Sequence, residues 1–256
     1  MKRQTSRLGL MLLLGLFPLV SAAEPRQAPD DHHQHHQHGL PAKRADSAAK
    51  AETTTSHRHS GPIGHRFRDA KHWSKVFDDP KRLRWQRPDR VIAALELKPS
   101  MVIADIGAGT GFFAVRLARA VKSGKVIAID IERSMIDYLG RRAARERLNN
   151  LTAVLGQTDD PRIPEAVDLV FICNTYHHIA ERVRYFRALR AKIKPGGTLA
   201  IVDFRAGKIP VGPPAKQRIY PPQLDKELSQ AGYRRLKLLT NTLPYQYIAV
   251  YGVQSS

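Results

Sequence analysis

A carboxylate and three glycines stand in one short run, Asp105-Ile106-Gly107-Ala108-Gly109-Thr110-Gly111, between the apolar residues 101–104 and a helical pattern that starts at Phe112. An apolar strand, a glycine-punctuated turn and a helix start, in that order, form the ligand-gripping corner of a βαβ unit. Glycine adopts backbone angles closed to other residues and lets a ligand come close to the main chain. The first N–H groups of the helix then lack partners and favour a negative group. A chain built on such a corner folds as an α/β protein and binds a charged small molecule there.

The dinucleotide fingerprint spaces its glycines as G-x-G-x-x-G. Here they fall at Gly107, Gly109 and Gly111, Phe112 holds the place of the third, and Asp105 precedes the first. This D-x-G-x-G-x-G run resembles motif I of the class I S-adenosylmethionine-dependent methyltransferases, and the resemblance covers residues 98–253. It implies a Rossmann-like, seven-stranded, mostly parallel sheet with an antiparallel C-terminal edge strand and helices on both faces. It also implies S-adenosyl-L-methionine as cofactor, with Asp105, Gly107, Gly109 and Gly111 around its amino-acid end.

Downstream partners follow in the expected order. Residues 126–130 read as a buried strand ending in an acid, about twenty to thirty residues past the glycine turn, where a ribose-binding carboxylate belongs. Asp130 therefore takes the ribose and Ile131 stands beside it as a cofactor contact; Ser134 is expected to cap the next helix. The turn Gly156-Gln157-Thr158-Asp159-Asp160-Pro161 resembles the family's adenine-side loop. The family's usual acid after the glycine is Gln157 here, so the adenine contact stays open among Gln157, Thr158 and Asp159. A plain Asp-Pro turn fits equally well.

Residues 168–173 form a fourth apolar strand running into Asn174-Thr175-Tyr176-His177-His178. By the resemblance, Asn174 adjoins the methionine part of the donor. His177 and His178 are the candidate catalytic bases, because imidazole titrates near working pH; a hydrogen bond to a neighbouring loop is the plainer role for either. The loop lacks the Asn/Asp-Pro-Pro-aromatic run of enzymes that methylate adenine or glutamine amines. The single cysteine, Cys173, follows Ile172, unlike the nucleophile of cytosine-C5 enzymes, and excludes an intrachain disulfide or a cysteine-based metal site.

A helix over residues 181–194 is stopped by Lys194-Pro195-Gly196-Gly197, a strand follows over 198–204, and the proline-rich residues 209–214 read as a stiff lid or a rigid connector. Residues 233–239 and 245–251 are β-rich and complete the sheet edge. Tyr245 and Tyr247 share one face, either core or site.

The 256 residues, 42% hydrophobic, suffice for one domain with extensions. Residues 1–23 read as a secretory signal: Lys2, Arg3 and Arg7, an apolar stretch over 8–20, then Ser21-Ala22-Ala23. The expected destination is the periplasm, although the methyl donor is made inside the cell. Residues 24–60 read as a disordered linker containing a histidine tract at 32–38, which is either a weak metal buffer or an inert tether. Residues 61–98 read as a helical N-terminal cap, with Trp73 and Phe77 on one face and Pro88 opening a second helix; the methyltransferase domain is 99–256.

The net charge of +19 divides as +3 over residues 1–60, +5 over 61–98 and +11 over 99–256, so most of it belongs to the domain. Such a surface favours lipid headgroups, nucleic acid or acidic substrates, though it also serves plain solubility. The expected reaction is in-line methyl transfer to a small-molecule or lipid-like acceptor, with peripheral association to anionic membrane. An exported protein that only binds the donor or a metal, and a nucleic-acid methyltransferase, are the alternatives.

Overall fold

A computed structural model describes residues 67–254. The expected export signal (1–23), the histidine-rich linker (24–60) and the first residues of the cap lie outside the described residues. The apolar runs pair into one sheet of seven strands: β1 (Val102–Ile106), β2 (Lys125–Asp130), β3 (Leu151–Leu155), β4 (Val167–Cys173), β5 (Ile193–Phe204), β6 (Tyr233–Leu239) and β7 (Gln246–Val253). Their order is β3-β2-β1-β4-β5-β7-β6. The pairs β1–β2, β1–β4, β2–β3 and β4–β5 are parallel, while β7 runs antiparallel to both β5 and β6. The antiparallel edge forms as expected, with β7 one place in and β6 at the margin. Strand order reverses between β1 and β4, which opens a crevice at their carboxyl ends.

Strands buried on both faces read as unbroken apolar runs, and alternate side chains divide between two cores. Ile103, Val126, Phe171 and Val202 go to one face, under α3 (Pro88–Ala94), α4 (Ala114–Ala120) and α5 (Arg133–Arg145). Ile106, Ile129, Ile172 and Ile201 go to the other, under α6 (Arg182–Leu189) and α7 (Pro221–Gln230). Tyr247 joins this second core and donates its hydroxyl to Ile219 O at 2.8 Å, so its face is core. Gln246, its neighbour, is buried on the opposite face.

Three local expectations are corrected. α4 starts at Ala114, not Phe112, because a turn closes first: Gly111 N–H donates to Ala108 O at 2.9 Å before the helical ladder begins. α6 stops at Leu189, and a 3-10 turn (Arg190–Lys192) leads into β5, which already includes Pro195, Gly196 and Gly197. A register shift between Val167 and Leu169 on β4 accommodates that proline-glycine stretch. Ser134 does not cap α5; Glu132 is the N-cap residue, and Ser134 Oγ is buried with no partner among the described residues.

The cap comprises α1 (Ala70–Phe77), α2 (Arg82–Gln86) and α3. Trp73 and Phe77 share a face as the spacing predicts, stacked at 5.5 Å, with Phe67 against both rings. Asp78, just past α1, accepts from Arg142 Nη1 of α5 at 2.9 Å, which ties the cap to the sheet's helical layer.

Candidate functional site

The glycine corner sits at the carboxyl end of β1, and its three glycines do different things. Gly107 (φ +76°) donates to Ile129 O at 2.8 Å; a Cβ there would stand 2.2 Å from Thr175 Oγ1 of the loop after β4. Gly111 answers to packing, since a Cβ would lie 2.3 Å from Leu139 Cδ1 on α5. Gly109 (φ +55°) is the one turned toward the cap, where a Cβ would meet only the Phe77 ring, at 3.4 Å. Its positive φ and bare α-carbon leave the main chain approachable from that side. Because α4 begins late, the corner's donors are turn N–H groups rather than a helix end.

Two carboxyl groups flank the turn. Asp130 Oδ2 accepts the Gly109 N–H at 2.9 Å and Oδ1 accepts the Glu132 N–H at 3.0 Å. Asp130 thus orders the start of α5 itself, four residues before the serine expected to do so. Each of its oxygens keeps a second lone pair for a ligand. Burial raises its pKa, and backbone hydrogen bonds from Glu132, Gly109 and Ile131 oppose that. Ile131, next to it, is a large apolar side chain left 44% exposed. Asp105 is deeply buried, and its Oδ2 has no hydrogen-bond partner among the described residues. Burial foremost, then the charge of Asp130, pushes its pKa up to about 7, against the pull of Arg82.

Arg82 is the residue that the sequence reading missed. It is half-buried on α2, with its guanidinium carbon 3.9 Å from the Phe112 ring centre. Nη1 donates to Phe77 O at 2.8 Å and Nε to Gln86 Oε1 at 3.3 Å, yet Arg82 forms no ion pair among the described residues. A desolvated cation without a counter-ion is costly. Gln86, fully buried, donates to Gln246 Oε1; Gln246 donates to Asn174 Oδ1; Asn174 donates back to Gln86 Oε1 at 3.2 Å. This ring of three amides seats α2 on β4 and β7 and fixes Asn174, whose backbone is left-handed (φ +58°). Cys173 is buried beside Gln86 with its thiol pKa raised by burial, so it stays an unreactive thiol.

The remaining sequence candidates separate. His177, in a 3-10 turn (Tyr176–His178), is buried with Nδ1 3.0 Å from both oxygens of Asp203. His178 is half-buried, edge-on to Phe67 at 5.8 Å. Thr158 and Asp159 lie exposed in the turn after β3, with Asp159 3.8 Å from Arg184. The corner, Asp130, Asn174 and the histidine turn therefore gather at the carboxyl ends of β1, β2 and β4, and Thr158 and Asp159 stand at the rim beyond β3.

Comparison with known proteins agrees with this geometry. Residues 103–197 match the family model described as a methyltransferase domain. A solved S-adenosylmethionine-dependent methyltransferase from Aquifex aeolicus is 28% identical, with a TM-score of 0.66 over 72% of this chain and 97% of its own. A probable ribosomal RNA small subunit methyltransferase A from Methanosarcina barkeri is 34% identical over 118 residues, 46% of this chain and 39% of its own length. A ubiquinone/menaquinone biosynthesis C-methyltransferase from Shewanella frigidimarina is 27% identical over 128 residues, 48% of this chain and 50% of its own length. The chain thus spans half or less of the length of these two curated relatives. Domain match, strand order and the glycine corner converge on one conclusion: residues 103–197 carry a methyltransferase domain, in a Rossmann-like fold similar to that of solved S-adenosylmethionine-dependent methyltransferases.

Proposed function

We propose that this chain binds S-adenosylmethionine at the glycine corner and transfers its methyl group to a small-molecule or lipid-like acceptor. The observation that carries the reading is the pairing of an unpartnered Asp105 oxygen with an ion-pair-free Arg82 across the corner. An amino-acid end carries an ammonium and a carboxylate, which those two side chains complement. Asp130 suits the ribose hydroxyls, and the exposed Ile131 suits a flat base. The bound donor supplies an activated methyl on a sulfonium. The protein's own part is to hold donor and acceptor aligned, which accounts for a large share of such accelerations. Its aromatic cap excludes water from a charge that vanishes as transfer proceeds.

Calorimetry with S-adenosylhomocysteine tests this directly. Saturable one-to-one binding is expected, weakened about 10- to 100-fold in Asp130→Asn, as for loss of a charge-assisted hydrogen-bond pair. No uptake by the intact chain would end the proposal. Binding without any labelled product in an acceptor screen would favour a donor-binding protein.

The finer reading of the acceptor side draws on the cap surface. Val76 and Leu83 are 52% and 44% exposed, in a cap that also carries exposed Lys75, Lys81 and Arg84. Apolar side chains among cations suit an anionic lipid surface. The mature protein is expected to sediment with anionic vesicles at low salt and to be released at high salt. Failure to sediment at low salt removes the membrane role. Nucleic acid is the second reading, favoured by the charge and by the ribosomal RNA relative; RNA binding that barely changes with salt would argue against it. The first 23 residues support export, and recovery of the protein in the cytoplasm alone would contradict that.

A further inference from the structure

We propose that His177 and Asp203 form a proton-accepting dyad, in which His177 Nε2 takes the proton of an acidic, phenol-like hydroxyl on the methyl acceptor and Asp203 is the positioning residue. The inference rests on the methyltransferase reading and adds to it the chemical class of the acceptor.

Asp203 is fully buried near the carboxyl end of β5. Both of its oxygens lie 3.0 Å from His177 Nδ1, and Oδ1 also accepts the Phe204 N–H at 2.8 Å. A carboxylate on that side requires Nδ1 to carry the hydrogen, which leaves the lone pair of the neutral ring on Nε2. Nε2 makes no hydrogen bond among the described residues. Its lone pair is therefore open to a donor that the protein does not supply.

Other titratable groups near the pair are His178 in the same turn, Cys173 at the end of β4 and Tyr247 on β7. Burial raises the pKa of both Cys173 and Tyr247, so both stay neutral at working pH. The His177 imidazole faces the Asp203 carboxylate through Nδ1, at 3.0 Å.

The surroundings suit a flat acceptor. The Phe204 ring lies 6.4 Å from that of His177 and 6.0 Å from Trp85 of the cap. An imidazole of pKa about 6.5 is far better matched to a phenolic hydroxyl of about 10 than to an aliphatic one resembling water, at about 15.7. A free amine attacks through its own lone pair and needs no such base. In the step, the acceptor oxygen bonds to the methyl carbon as the carbon–sulfur bond breaks, its electron pair returning to sulfur. The hydroxyl proton passes to Nε2 and then to solvent. Sulfonium and hydroxyl become thioether, methyl ether and one proton.

The test uses the full mature chain, a methyl-labelled donor, catechol as hydroxyl probe and benzylamine as amine probe. Wild type is expected to label catechol in preference to benzylamine. His177→Gln and Asp203→Asn should each lower kcat on catechol at least about 100-fold, the usual range for a general base. KM and S-adenosylhomocysteine affinity should stay near wild type. Asp203→Glu, which restores a carboxylate, should recover much of the rate. In Asp203→Asn the acid limb of the kcat profile should move to lower pH, because His177 loses the charge that favours its protonation. Unchanged turnover in the variants, an unmoved acid limb, or preference for benzylamine overturns the dyad. Nitrogen NMR of the wild type should report the Nδ1–H tautomer of His177, and an Nε2–H tautomer overturns the proposal even if the variants fail to fold. Failure of the wild type to bind S-adenosylhomocysteine would instead defeat the donor-site reading beneath it.

Discussion

Arg82→Met is expected to weaken S-adenosylhomocysteine binding by about 10- to 100-fold, the effect of losing a charge-assisted contact of about 1.5–3 kcal/mol. The substitution keeps a long apolar stem over the Phe112 ring, where the guanidinium now lies 3.9 Å from the ring centre. What it removes is the cation, which has no ion-pair partner among the described residues. 5′-Methylthioadenosine, which has the base, sugar and sulfur but no amino-acid end, should bind variant and wild type alike. Calorimetry with both ligands separates the two explanations of Arg82. Equal losses would show a collapsed cap, and no loss for either would show that Arg82 is structural.

Asp105 should make donor binding weaken as pH falls below about 7. Its carboxyl, pushed up to about 7, holds a proton in the free protein at pH values where an unfolded aspartate has lost it. Below about 7 the group must release that proton to pair with an ammonium, so affinity should fall about tenfold per pH unit on the acid side. Calorimetry in buffers of different ionisation enthalpy should detect the released proton. In Asp105→Asn the pH dependence should flatten and affinity above pH 7 should drop.

The same shift bears on stability. A raised pKa in the folded state adds stability that is complete below the unfolded value of about 3.9 and is lost as pH climbs through about 7. The ligand-free wild type should therefore lose thermal stability between pH 5 and pH 8 relative to Asp105→Asn, by an amount of order 5 °C. A parallel course of the two melting curves across that range would show that Asp105 ionises as an ordinary carboxylate.

The parallel sheet and the corner were legible because their signals are local. Apolar runs of four or five residues, at 101–104, 126–129 and 169–173, mark strands buried on both faces, as β1, β2 and β4 proved to be. The spacing of Asp130 from the glycine turn located a carboxylate that does contact the turn, through Gly109. Helix limits were less legible, because the turn at 108–113 and the proline-glycine entry to β5 depend on hydrogen bonds to other segments. Ser134 looked like a cap by residue type, but Asp130 already serves the N–H of Glu132.

From its residues alone this chain specified an α/β sheet, a glycine corner and the acid that closes on it, since each follows from the periodicity or backbone freedom of a few neighbouring positions. Tertiary structure alone decided that Gly111 makes room for Leu139, that Arg82 reaches the corner, that Gln86, Asn174 and Gln246 lock together, and that Asp203 backs His177. Those partners stand 23 to 160 residues apart along the chain, from Arg82 and Asp105 to Gln86 and Gln246. Contacts at such separations leave no trace in local pattern; they exist only once the sheet order has brought strand ends and cap together.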